Sequence, residues 1–279
     1  MKSYVRILAR LRTSKAFIIG MCGICLLTLV AVSANFVFPG DPLDMVGPPT
    51  LWPGTNVSFP LGTDVLGRNI ASGIAHGAQI SLAIGFLSAL ISVVVGVAVG
   101  AVAGYTRGIV DDLLMRVTEF FQTIPSFLFA IILVLILRPS IGSIIIAIGS
   151  TTWPQIARLT RAEVLRVREA DYVHAATTMG RRHIGIIIEH VLPNSVAPVV
   201  IATSVLVANA ILMEASLSFL GLSDPNVPTW GAMIGVGRDV LRTAWYMSAL
   251  PGLAVFVTVM SFTLLGNGLN DILNPRDAL

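Results

Sequence analysis

Lysine is almost missing from this chain: Lys2 and Lys15 are the only two in 279 residues. Neither follows a Gly-x-x-x-x-Gly run, so a phosphate-gripping loop of the Walker type is excluded. Charge of any kind is scarce, at 12% of residues against 55% hydrophobic. A soluble domain carries about 25% charged residues, so the bilayer is the solvent to reason with. Cysteine is limited to Cys22 and Cys25, a Cys-x-x-Cys inside the apolar run 18–32. No other cysteine or nearby histidine completes a metal site there, and both read as small apolar fillers. His76, His174, His183 and His190 are scattered without the spacing of a metal set. No catalytic constellation appears. The chain is therefore expected to be no enzyme, to bind no cofactor or metal, and to need lipid but no nucleic acid.

What is present is a series of charge-free runs at 16–40, 69–106, 120–137, 139–157, 190–213 and 243–270. Each is long enough for a bilayer-crossing helix of about 18 residues or more. The second exceeds one span, and its helix is expected to begin near Gln79. The reading is all-α, a polytopic membrane protein with six transmembrane helices. Its parts are a segment 1–15, a first and uncleaved helix 16–38, a loop 39–78, a core 79–270 and a tail 271–279. One set of loops carries fourteen of the Lys and Arg residues; the other holds only Arg68, Arg138, Arg238 and Arg242. By the positive-inside rule, both termini and the loop 158–190 face the cytosol.

That loop is the one long charged segment. Arg158, Arg161, Arg166, Arg168, Arg181 and Arg182 crowd around a short Ala-rich piece. Asp171 sits where an N-cap could accept the first free amides of a helix through Val173, His174, Ala175, Ala176 and Met179. Gly180 supplies the left-handed residue that stops it. The small Ala175 and Ala176 suit close approach to another surface.

Ala175-Ala176, three residues, Gly180, then Val191-Leu192-Pro193-Asn194 resembles the EAA loop of permease subunits in binding-protein-dependent ABC importers. The usual first residue in that family is Glu; here it is His174. The stretch 60–69, Pro-Leu-Gly-Thr-Asp-Val-Leu-Gly-Arg-Asn, looks like the extracytoplasmic signature of the C-type permease in dipeptide, oligopeptide and nickel importers. Phe59 and Asn69 replace the family's usual His and Asp. The stretch 214–222, Glu-Ala-Ser-Leu-Ser-Phe-Leu-Gly-Leu, and Pro228-Thr229-Trp230-Gly231 are similar to further family motifs, and Pro275-Arg276 resembles its usual finish. The resemblance runs from about residue 60 to 276.

It implies the type I ABC importer permease fold in a bacterial or archaeal cytoplasmic (inner) membrane. It further implies a heterodimer with a related B-type permease, two ABC ATPase subunits that use ATP and Mg, and an extracytoplasmic substrate-binding protein. The loop 161–194 then holds a coupling helix, with Asp171, Tyr172, His174, Ala175, Ala176, Met179 and Gly180 as the ATPase-docking residues. Glu214, Ser216 and Ser218 are candidates for the translocation pathway, though Glu214 could instead tie its helix end to outer-loop amides. Asp64, Arg68 and Trp230 are candidate binding-protein contacts; the bland reading of their loop is a stapled cap, with Asp64 and Arg68 paired across tight turns.

Three smaller expectations follow from spacing. Gly96, Gly100 and Gly104 form a small-residue ridge for helix packing, within the subunit or at a dimer seam. Arg116 and Glu119, one turn apart, can pair near the interface. Trp230, Trp245 and Tyr246 suit the membrane interface. The rival readings are a self-powered secondary transporter or a membrane scaffold. Mid-span positions are almost wholly apolar and no repeat relates the two halves, which speaks against the first. The gripped loop speaks against the second.

Overall fold

The computed structural model describes residues 14–273. The basic residues Lys2, Arg6, Arg10 and Arg12 and the Pro275-Arg276 finish lie outside these. The elements are α1 (Lys15–Val37), α2 (Ile70–Thr106), α3 (Gly108–Thr123), α4 (Ser126–Leu137), α5 (Ile141–Arg168), α6 (Asp171–Thr178), α7 (His183–Ile186), α8 (Leu192–Phe219), α9 (Trp230–Gly237) and α10 (Tyr246–Leu273). A π turn, Ile187–Val191, joins α7 to α8. No strand occurs among the described residues.

Four helical stretches are long and apolar enough to cross a membrane: α1, α2, the continuous His183–Phe219 and α10. A fifth results if α3 and α4, bent by 86° at their junction, count as one. The expected straight helix over 120–137 is thus broken. Pro125 forces Ile124 into an extended conformation, which ends α3 and starts α4 in a new direction. The run 139–157 lies in α5, a helix that continues through Pro154 to Arg168, eleven residues into what reads as loop. Leucine, valine and arginine at 164–168 continue the helical pattern, so the charged segment starts as helix.

The second helix begins at Ile70, not near Gln79. Asn69 caps it, its side chain accepting from the Ala71 and Ser72 amides. The extra turns are buried rather than lipid-facing: Ile70, Ala71, Gly73, Ala75 and Gly77 pack under the cap and against α9. Glycine and serine there conceal the helix from a reading based on hydropathy.

α2 and α5 form the central pair. A Cβ on Gly96 would sit 2.6 Å from Ile156 Cβ, one on Gly100 2.3 Å from the Ala157 carbonyl, and one on Gly104 2.8 Å from the Arg161 carbonyl. The small-residue ridge is therefore an intrachain seam. α1 leans on α10 in the same way, Gly20 against the Leu265 backbone and Gly268 against Phe17. Leu27, Ile156, Leu206, Ile211, Trp230 and Val255 close a core where these pairs meet α8 and α9. Cys22 and Cys25 are free thiols on the exposed face of α1.

Candidate functional site

The arginine-rich end is built on α6. Its N-cap is Ala170, with no side-chain cap bond, and Asp171 is the first helical residue. The expectation of an Asp171 cap is thus off by one position; its carboxylate still stands in the first turn, where the helix dipole favours it. The C-terminus follows expectation. Gly180 has φ +76; its amide donates to the Thr177 carbonyl, and the Arg181 amide to that of Ala176. These two bonds are the Schellman closure, and the left-handed residue in it favours glycine.

The helix turns two residues inward. Val173 and Ala176 pack with Ala101, Val164, Val167, Ile186 and Val191. Ala176 is only 7% exposed, so its small side chain serves close packing within the chain and leaves the outer face to others. That face carries Asp171, Tyr172, His174, Ala175 and Met179, all exposed, with Met179 at 82%. Ile184 and Ile188 are exposed beside it.

Ion pairs brace this end. Arg107 pairs with Glu169 and Arg181 with Glu189. His174 Nε2 lies 3.9 Å from Glu169. Tyr105 links to His183 Nδ1 at 2.9 Å, and the Arg168 guanidinium covers the Tyr105 ring. The anticipated Arg116–Glu119 pair is not among the ion pairs of the described residues. Instead Arg161 holds Asp111 by two bonds, 2.5 and 2.6 Å. The bond to Asp111 raises the Arg161 pKa, while burial pulls the other way. The partners stand fifty positions apart, and the pair of acids Asp111-Asp112 opening an amphipathic helix was its only sequence signal.

The pathway candidates split. Glu214 and Ser218, one turn apart on α8, face inward; Ser218 donates to Glu214 Oε1 at 2.7 Å. Glu214 is 0% exposed, and the Ser81 and Thr229 hydroxyls are its other polar neighbours. Ser216 points the opposite way, as two residues on a helix must. It lines a cavity of about 310 Å³ between α4, α5 and α8, together with Gln155, Asn209, Thr152 and Ser126. Gln155 and Asn209 escaped sequence reading because single amides in apolar runs carry no motif.

At the opposite end, residues 38–69 form a cap. Asp64 Oδ1 accepts from the Leu66 and Arg68 amides. It is the backbone of residue 68, not its guanidinium, that Asp64 engages. Gly62 and Gly67 take φ +79 and +80 in the two turns. Tyr246 donates to the Leu51 carbonyl at 2.8 Å and is buried. Trp230 is buried too, its Nε1 donating to the Ile74 carbonyl at 3.0 Å. Neither ring sits at an interface with lipid; only Trp245 is exposed. Trp230 is wedged because Gly77 and Gly231 clear space for α9 against α2 and α8.

Among known proteins, the chain is 36% identical over 263 residues to a di/tripeptide transport system permease protein of Pseudomonas aeruginosa. That match covers 92% of this chain and 87% of the relative. It is 37% identical to a dipeptide transport system permease protein of Escherichia coli, over 95% of this chain and 90% of the relative. A chain of the MetNI methionine ABC transporter in an inward facing conformation shares the fold, with TM-score 0.59 at 18% identity. The overlap covers 72% of this chain and 96% of that one. Residues 96–277 match the family described as the binding-protein-dependent transport system inner membrane component. That segment spans the α2–α5 seam, α6 and the whole of α8 to α10, and the chain belongs to this family.

Proposed function

We propose that the chain is one transmembrane half of an ATP-driven importer of short peptides, coupled to separate ATPase subunits through α6. The observation that carries this is the two-faced α6. Its inner face is fixed to α2 and α5 by Val173 and Ala176, and its outer face of Tyr172, His174, Ala175 and Met179 is left open. Such a helix transmits a push to the membrane part without bending. Two ATPases, a related B-type permease and an extracytoplasmic binding protein complete the assembly. ATP and Mg are used by the ATPases, and this chain binds no cofactor and performs no covalent chemistry. α5 supplies a sixth span through 141–157, its charged second half projecting into the cytosol with both termini. The relatives named for di- and tripeptide transport favour peptides as solute.

Ser216, Gln155 and Asn209 belong to the pathway wall, where amides and a hydroxyl offer hydrogen bonds without a fixed charge. In vesicles holding the full assembly, labelled dipeptide uptake requires the binding protein, and ATP on the face that carries Arg182. Uptake without nucleotide, or with ATP on the other face alone, overturns this reading.

A further inference from the structure

The cap end holds a second cavity, of about 340 Å³, between the loop around Asp64 and the segment 223–236. That volume suits a small ligand. Among the described residues, Arg68 is the only cation lining it, and Asp64 and Asp224 are its two acids. Arg68 Nε is buried without a hydrogen-bond partner. The guanidinium joins none of the ion pairs among the described residues. Both acids are partly committed to the loops: Asp64 Oδ1 takes the Leu66 and Arg68 amides, and Asp224 Oδ1 takes the Asn226 amide. Leu43, Met233 and Met247 give the remaining wall an apolar character.

A buried Nε with no internal partner is costly, and the half-buried guanidinium that carries it can turn its remaining N–H groups to something outside. Its planar fork matches a carboxylate in two-point geometry. A simple anion would meet two carboxylates in the same cavity. A ligand with a carboxylate at one end and an ammonium at the other satisfies both. We propose that this cavity is a binding site for a small zwitterion of amino-acid to dipeptide size, its carboxylate on Arg68 and its ammonium toward Asp224. The site is separate from the Ser216 cavity, does not depend on ATP, and stands whether or not peptides are the transported solute.

The test is calorimetric titration of the assembled transporter in lipid nanodiscs, without binding protein or nucleotide. The probes are alanyl-alanine, N-acetyl-alanyl-alanine and N-acetyl-alanyl-alanine amide. Saturable binding is expected for the first, weaker binding for the second, and none for the third. Arg68→Gln should weaken alanyl-alanine at least about tenfold, the worth of one charged hydrogen-bonding contact. Arg68→Lys should recover part of that. Asp224→Asn should erase the preference for the free ammonium. Ser216→Ala, whatever it does to uptake, should leave the Arg68-dependent part of alanyl-alanine binding in place, which separates this site from the pathway. Unchanged thermal unfolding of the Arg68 variants guards against a folding defect. Equal binding of the uncharged probe, or full affinity in Arg68→Gln, overturns the proposal. So does an Arg68→Gln effect confined to capture of the binding protein, which would make the cavity a seat for an acidic side chain of that partner.

Discussion

The two ends of the molecule are held by different means. The cap end is tied by hydrogen bonds that cross most of the sequence, Tyr246 to Leu51 and Trp230 to Ile74. The rings of Trp230 and Tyr246 are turned inward there. The arginine-rich end rests on one small apolar cluster and a ring of exposed ion pairs. Exposed pairs contribute about 1 kcal/mol or less each, so the cluster around Val173 and Ala176 does most of the holding there. One end is tied together by its own long-range bonds; the other is fixed on its inner side and open on its outer side.

The largest effect is expected where that inner fixing fails. Ala176→Arg drives a charge into a site lined by Val164, Val167, Ile186 and Val191, and an unpaired buried charge costs several kcal/mol. α6 should be pushed off its seat. ATP-driven uptake should fall at least about tenfold while the other helices insert normally, as read by uptake and by protease protection. Wild-type uptake would show that the inner face carries no load.

An intermediate effect belongs to the cap. Trp230→Phe keeps a six-membered ring in place but removes the Nε1 donor, so the Ile74 carbonyl loses its link to α9 and keeps only its place in the α2 ladder. A loss of about 1–3 kcal/mol is expected, with uptake retained at moderate temperature. The check is the thermal midpoint of the purified protein. A change in uptake larger than the change in stability would give the ring a role beyond fastening.

How much of this was legible differs between the ends as well. Gly96, Gly100 and Gly104 announced a seam, and Gly180 announced a helix stop, because glycine at fixed spacing has few other uses. Side-chain chemistry points to Asp171 as the cap of α6, whereas the backbone makes Ala170 the cap and Asp171 the first helical residue. Ala176 looked like a contact for a partner because sequence gives size but not facing. The break at Pro125 lies inside the charge-free run 120–137, which hides it, and fifty residues of separation hide the Asp111–Arg161 bond. Residue type alone suggests the lipid interface for Trp230 and Tyr246, whereas long-range packing buries both.

The smallest effect is expected at His174, on the open face. Its imidazole is 3.9 Å from Glu169, which already pairs with Arg107. His174→Gln preserves polarity and approximate length, so uptake and ATPase binding should stay within about threefold of the parent, a shift below 1 kcal/mol. Loss of coupling with the complex still assembled would show that the imidazole itself is required.

α2 gives these separate fastenings a common mechanical frame. At about 1.5 Å per residue its 37 residues reach about 55 Å, the full depth of a bilayer with room to spare. Near one tip Ile74 receives the indole of Trp230; near the other, Ala101 and Tyr105 touch the cluster that seats α6. Between them the glycine seam holds the shaft so close to α5 that no Cβ would fit. It is a stiff lever with a load bolted to each tip, and a tilt imposed at one tip must show as a displacement at the other.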